Sequence, residues 1–182
     1  TMKRKIISLY MMHCCTLFAT AQTMTESDHI RNGNKLYADS LFEKAEIEYR
    51  KALELNPKSV DAMYNLGNAL FCQAVNSQEK GDEALNQYST AAKLETDKEK
   101  LAQIYHNIGT LLYSAQQYPQ SVEAYKESLR NNPCDHETRY NLAKAMHMNK
   151  QQQQNQQDQQ ENQEQQQNQE QQQQEQQQQE QQ

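Results

Sequence analysis

One pattern of intervals, met three times, constrains this chain more than any other feature. Gly33 is followed by Ala45 after twelve residues, then Tyr49 after four, Ala52 after three and Pro57 after five. Gly109, Ser121, Tyr125, Ser128 and Pro133 repeat those intervals without a slip. Gly67, Ala84, Tyr88 and Ala91 keep the order with five extra residues after the glycine, and Thr96 holds the proline slot. A glycine inside a helix costs about 1 kcal/mol relative to alanine, so one that recurs has a packing reason. Three of the four glycines are accounted for in this way.

Helical spacing surrounds each glycine and each tyrosine. Leu41, Ala45, Tyr49, Ala52, Leu53 and Leu55 recur at three and four, which places them on one helix face. Asn56-Pro57 ends that helix, because proline cannot continue it and disfavours helix in the residue before. The extra residues of the middle unit fall in Asn76–Asp82, which reads as a polar loop. A seventh helix, His136 to about Met148, carries Tyr140, Leu142, Ala143 and Met146 as its apolar face and has no partner helix after it. The expected fold is all-α. It is a solenoid of three helix pairs, about 26–59, 60–98 and 102–135, closed by a capping helix over 136–148.

The intervals resemble those of the tetratricopeptide repeat (TPR), a helix–turn–helix unit of about 34 residues. Leu66-Gly67, Ile108-Gly109, Ala45, Ala84, Tyr49, Tyr88, Tyr125, Ala52, Ala91, Pro57 and Pro133 carry the resemblance, which covers residues 27–148. The first unit departs from it, with Asn32-Gly33 in place of Leu-Gly and His29 where a bulkier residue is usual. The resemblance implies a stack in which small residues allow close approach, and at least three units make a continuous core. It also implies that the first helix of each pair lines a concave groove that binds a protein segment, with no catalysis.

On that expectation the groove presents Asn34 and Tyr37 from the first unit, and Tyr64, Asn65 and Asn68 from the second. The third unit adds His106, Asn107 and Tyr113, and the capping helix adds Tyr140 and Asn141. An amide side chain can donate to and accept from a peptide backbone at once, and tyrosines supply apolar area. The alternative is that these asparagines pair within the chain and the tyrosines are core. The family's clamp for a C-terminal carboxylate uses Lys, Asn, Asn, Lys and Arg. Asn34 and Asn65 match its asparagines, but the cationic slots fall on Ile30, Gln103 and Asn107. Without cations a carboxylate has no strong partner, so a chaperone-tail receptor of that type is excluded.

The two ends differ from the middle. Lys3, Arg4 and Lys5 precede an apolar run from Ile6 to Phe18, and Ala19-Thr20-Ala21 has the form of a cleavage site. That order predicts a signal peptide over 1–21 and an exported protein of the periplasm or cell envelope. Membrane association would be indirect or through an uncleaved N-terminus. Residues 149–182 form a Gln-rich acidic tail. From 151 onward it holds 23 Gln, 3 Asn, 5 Glu and one Asp, with nothing apolar to bury. It reads as a mobile spacer, a marginal helix or an association element.

Other chemistry is thin. The net charge of −6 gives no basic footprint for nucleic acid. The histidines lack metal-ligand spacing, no phosphate loop is present, and no cofactor is expected. Acids such as Glu46 and Glu48 read as solvated helix faces. Cys72 and Cys134 lie too far apart on the helix map for a disulfide and read as free, half-buried thiols, with a redox role as the minor alternative.

Export, three TPR units, a lone capping helix and a Gln-rich tail together resemble the BatC-like TPR member of the Bacteroides aerotolerance operons. That resemblance implies an adaptor for membrane proteins with von Willebrand factor A domains. The alternative is a self-assembling envelope-structural protein acting through its tail.

Overall fold

The computed structural model describes residues 24–180, so the predicted signal peptide lies outside the described residues. Seven α-helices follow one another, with no strand among the described residues. They are α1 (Glu26–Ala38), α2 (Phe42–Leu55), α3 (Val60–Gln73), α4 (Gln78–Leu94), α5 (Lys98–Ser114), α6 (Tyr118–Asn131) and α7 (His136–Glu180).

Each helix packs on the next in sequence, and α1, α3, α5 and α7 also approach one another in turn. The backbones of α2, α4 and α6 make no such approach among themselves. The odd-numbered helices therefore line the inside of the curve. The core is built from the repeated residues. Tyr49, Tyr88 and Tyr125 are buried, and so are Ala45, Ala84 and Ser121. A Cβ placed on Gly33, Gly67 or Gly109 would lie 2.5, 2.6 or 2.6 Å from the ring of Tyr49, Tyr88 or Tyr125. Each tyrosine of a second helix thus packs against the glycine of the first. In the third unit serines stand in two alanine slots, and both are satisfied by α5 carbonyls. Ser121 Oγ donates to Gly109 O and Ser128 Oγ to Ala102 O, each at 2.7 Å.

Four expectations need correction. The Asn76–Asp82 segment is not a loop. A short 3-10 turn, Ala74–Asn76, ends at Ser77, whose side chain caps Lys80 N–H, and α4 starts at Gln78. The extra residues lengthen α4 to 17, against 14 in α2 and α6. The third unit starts at Lys98 instead of about 102, because Asp97 accepts from Lys100 N–H and caps an additional turn. The seventh helix does not stop near Met148 but continues to Glu180. Glutamine is a fair helix former, and no proline or glycine interrupts 149–180. Its buried face is Thr138, Leu142 and Ala145, while Tyr140 and Met146 are 70% and 52% exposed. With only α5 and α6 to pack against, α7 buries one stripe and leaves the other open.

Candidate functional site

Bonds within the chain set what the inner wall offers a partner. Tyr49 Oη donates to Asn34 Oδ1 at 2.8 Å, and Tyr88 Oη donates to Asn68 Oδ1 at 2.7 Å. In the third unit Tyr125 Oη pairs with Thr110 Oγ1 at 3.1 Å. The residue after each glycine thus holds the hydroxyl of the tyrosine that covers the glycine. Burial keeps these phenols protonated. It raises the pKa of Tyr49 to about 12 and pushes those of Tyr88 and Tyr125 upward as well. They are neutral donors at any ordinary pH.

A second set of bonds crosses between units. Asn107 Nδ2 donates to Tyr64 Oη at 3.0 Å and to Asn68 Oδ1 at 2.8 Å. Asn68 Oδ1 therefore accepts twice, and both Asn107 hydrogens are engaged. What remains is ordered by this bookkeeping. Asn34 and Asn68 keep their Nδ2 donors, Tyr64 keeps its own proton, and Asn107 keeps Oδ1 as an acceptor. Asn65 and Asn141 are half-buried, and their side chains make no hydrogen bond to another described residue.

The other predicted groove residues divide. Tyr37 is half-buried with Oη 3.4 Å from Cys72 Sγ; burial first, then that thiol, raise its pKa well above the usual phenol value. Tyr113 lies under Lys144, whose Nζ is 4.9 Å from the ring centre. His106 turns toward the capping helix, and Tyr140 stands apart in solvent. Hydrogen bonds therefore join Tyr64, Asn68 and Asn107 across α3 and α5, while Asn34 and Tyr37 on α1 and Asn65 on α3 share the inner helices with no side-chain hydrogen bond to them. The paired reading holds for Asn34, Asn68 and Asn107 at the atoms named above. The cationic slots carry Ile30, Gln103 and Asn107, and Asn107 is already bonded within the chain.

Sequence reasoning missed one cluster. Thr138 Oγ1 donates to Asp135 Oδ2 at 2.6 Å, so His106 Nδ1 carries a hydrogen and donates to Thr138 Oγ1 at 2.6 Å. Burial acts to raise the Asp135 pKa, but hydrogen bonds from Thr138 and the α7 N-terminus outweigh it and hold the carboxyl below its usual range. Ser128 lies 3.5 Å from Thr138 Oγ1 and gives its proton to Ala102 O. Serine, histidine and aspartate meet here, yet the serine is fully buried and its hydroxyl is committed to backbone. The cluster seats α7 on α5 and offers no nucleophile. The legible signal was Asp135 three residues before Thr138, a helix-capping spacing. Cys134 is exposed, not half-buried, and Cys72 is half-buried; both thiols are free. No cluster able to hold a metal ion occurs among the described residues, and none of their helices is long and apolar enough to cross a membrane.

Comparisons with known proteins agree with this geometry. Family models described as TPR repeat and tetratricopeptide repeat match residues 33–73 and 106–154. The STIP1 homolog of Dictyostelium discoideum is 29% identical over 137 residues, 72% of this chain and 23% of that protein. The chain spans less than a quarter of the length of the curated relatives it matches. Among solved structures, the first TPR of Spaghetti (RPAP3) bound to the HSP90 peptide SRMEEVD superposes with a TM-score of 0.60 at 19% identity. That match covers 68% of this chain and 91% of the other. MamA superposes with a TM-score of 0.61 at 21% identity, covering 69% of this chain and 68% of the other. The fold is a protein-interaction scaffold, generally non-enzymatic. Three stacked units, each sealed by a tyrosine on a glycine, and two matching stretches of sequence identify this chain as a bearer of tetratricopeptide repeats.

Proposed function

We propose that the chain is a non-enzymatic adaptor of the cell envelope whose inner wall holds an extended partner segment by its backbone. One observation carries the reading. The intrachain bonds fill the Oδ1 acceptor of Asn68 and engage those of Asn34 and Tyr64, and leave the Asn34 and Asn68 Nδ2 groups and the Tyr64 hydroxyl of α1 and α3 as donors. Such donors suit the carbonyls of an extended strand, and the half-buried tyrosines supply apolar contact. The RPAP3 domain holds an acidic peptide; here the slots for cations are empty of charge, so an acidic tail gains little. The BatC-like resemblance makes membrane proteins with von Willebrand factor A domains the partners to test first, in the periplasm and in a complex linked to aerotolerance.

The test is crosslinking in the native envelope followed by mass spectrometry, repeated with Tyr64→Phe and Asn65→Ala together. The Asn65 side chain makes no bond within the chain, and Asn107 loses its Tyr64 acceptor but keeps Asn68, so melting should change little while partner capture falls by tenfold or more. Capture that persists unchanged in the double variant rules the inner wall out. The second reading, self-assembly through the tail, draws on the unbroken helix from His136 to Glu180.

A further inference from the structure

We propose that the cleft between the second and third units is a second docking site, which takes a bulky apolar side chain flanked by a basic residue of a partner segment. This site goes beyond the inner wall but adjoins it, since Phe71 follows Asn68 by three positions on α3 and Cys72 Sγ lies 3.4 Å from Tyr37 Oη. The cleft has a volume of about 970 Å³ and is open to solvent. Phe71 and Val75 from the end of α3 and its turn, Leu85 of α4, and Leu111 and Leu112 of α5 supply its apolar surface. The lengthened start of α4 shapes it, and the turn before α4 leaves Val75 87% exposed.

Gly81 is the observation that most favours a ligand. The other three glycines are each required by a tyrosine ring, but Gly81 is not. A Cβ there would meet only Ala74 Cβ, at an ordinary 3.6 Å, and the backbone is helical. A glycine within a helix lowers its stability relative to alanine. Nothing in the packing forbids a side chain at this position. Its absence keeps the cleft unfilled.

Charge selects the flank. Asp82 is the one ionisable carboxylate among the lining residues, and no cation lines the cleft. Lys80, one position before Gly81, is held by both Glu46 oxygens at 2.8 and 2.9 Å. A lysine or arginine beside the apolar anchor meets Asp82, whereas an acidic flank is repelled. A fully seated leucine or phenylalanine supplies most of the affinity.

The experiment is fluorescence anisotropy on the full chain with end-blocked peptides Lys-Leu-Phe-Lys, Gln-Leu-Phe-Gln and Glu-Leu-Phe-Glu. The lysine peptide should bind at least tenfold more tightly than the glutamate peptide. Gly81→Leu, which fills the cleft, should weaken it tenfold or more without lowering the melting temperature. Asp82→Asn should erase the preference for lysine over glutamine. Tyr64→Phe with Asn65→Ala should leave binding unchanged, which separates this site from the inner wall. If Gly81→Leu disturbs folding, Val75→Lys replaces it: the side chain is exposed, so folding is spared, while the change removes apolar surface at the rim and repels a basic flank. No binding of the lysine peptide, equal binding of the glutamate peptide, or binding indifferent to both Gly81→Leu and Val75→Lys overturns the proposal. So does sedimentation showing self-association that Gly81→Leu abolishes, since the occupant is then a second copy.

Discussion

Gly67 and Gly81 are both helix-interior glycines, and their surroundings give the same substitution opposite signs. Alanine gains about 1 kcal/mol of helix propensity at either position. At Gly67 the new methyl would lie 2.6 Å from Tyr88 Cε1, against a ring that is fully buried and held by Asn68. Overpacking of this kind costs roughly 1–3 kcal/mol, and displacing the ring also strains its hydrogen bond. Gly67→Ala should therefore lower stability by up to about 2 kcal/mol, the net of these two effects. Gly81→Ala should raise it by up to about 1 kcal/mol. Urea melts of the two variants side by side decide it, and two shifts of the same sign would refute the tyrosine-on-glycine account. The spacing of these residues was readable because glycine and tyrosine recur at fixed intervals. The turns were less so. Ser40 and Gln116 both adopt φ of 59°, and the amides that follow them reach back to Leu36 and Leu112 carbonyls, as in a helix-ending Schellman turn. Glycine is the usual mark of that conformation, and neither residue is glycine.

Helices α2, α3 and α4 are joined by a charge cluster that the sequence disguised. Glu46 reads as a solvated acid, yet it is 9% exposed. It accepts from Arg50 and Lys80, each at 2.8 Å, and from Gln73 at 2.9 Å, and Arg50 also donates to Glu83 at 2.6 Å. Its spacing from Arg50 was visible, but Gln73 and Lys80 are brought to it only by stacking of the units. Burial acts to raise the Glu46 pKa; the hydrogen bonds from Lys80, Arg50 and Gln73 outweigh that, and the net shift is down. A carboxyl depressed in the folded state stabilises above its ordinary value of 4.5 and loses that stabilisation as pH falls through the folded value. Glu46→Gln keeps the shape and removes the charge. It should cost about 1–3 kcal/mol near neutral pH. The difference from the native chain should shrink on acidification from 4.5 downward. Stability measured at pH 7 and about pH 3 checks the sign, and a gap that stays constant would place the effect in packing instead of charge. Glu48 is likewise not free, since it accepts from His29 at 2.8 Å and Lys51 at 2.7 Å.

At the scale of the whole molecule, the array ends where its own rule is broken. Ala143 occupies the slot of Gly33, Gly67 and Gly109, and a tyrosine ring at the distance seen in those units cannot lie on its Cβ. No fourth pair can form in the same way, and α7 runs on alone to Glu180. At 1.5 Å per residue that helix is about 70 Å long. Starting a helix is its costly step, and docking of Thr138, Leu142 and Ala145 has already supplied the start. Each glutamine beyond Lys150 then only propagates, with little gain per residue and no apolar stripe to add packing. Such an extension should fray from its far end as temperature rises, independently of the stacked units. Deleting 151–182 should thus leave the cooperative melting temperature within about 2 °C. It should remove only a gradual, non-cooperative loss of ellipticity at lower temperature. Gln151→Pro should remove the same signal from the full chain, because proline breaks propagation from the docked turn. If deletion instead lowers the cooperative transition by more than about 5 °C, the tail packs on the units. If it shrinks the particle seen by light scattering from an oligomer to a monomer, the tail associates, and the self-assembling reading replaces the adaptor.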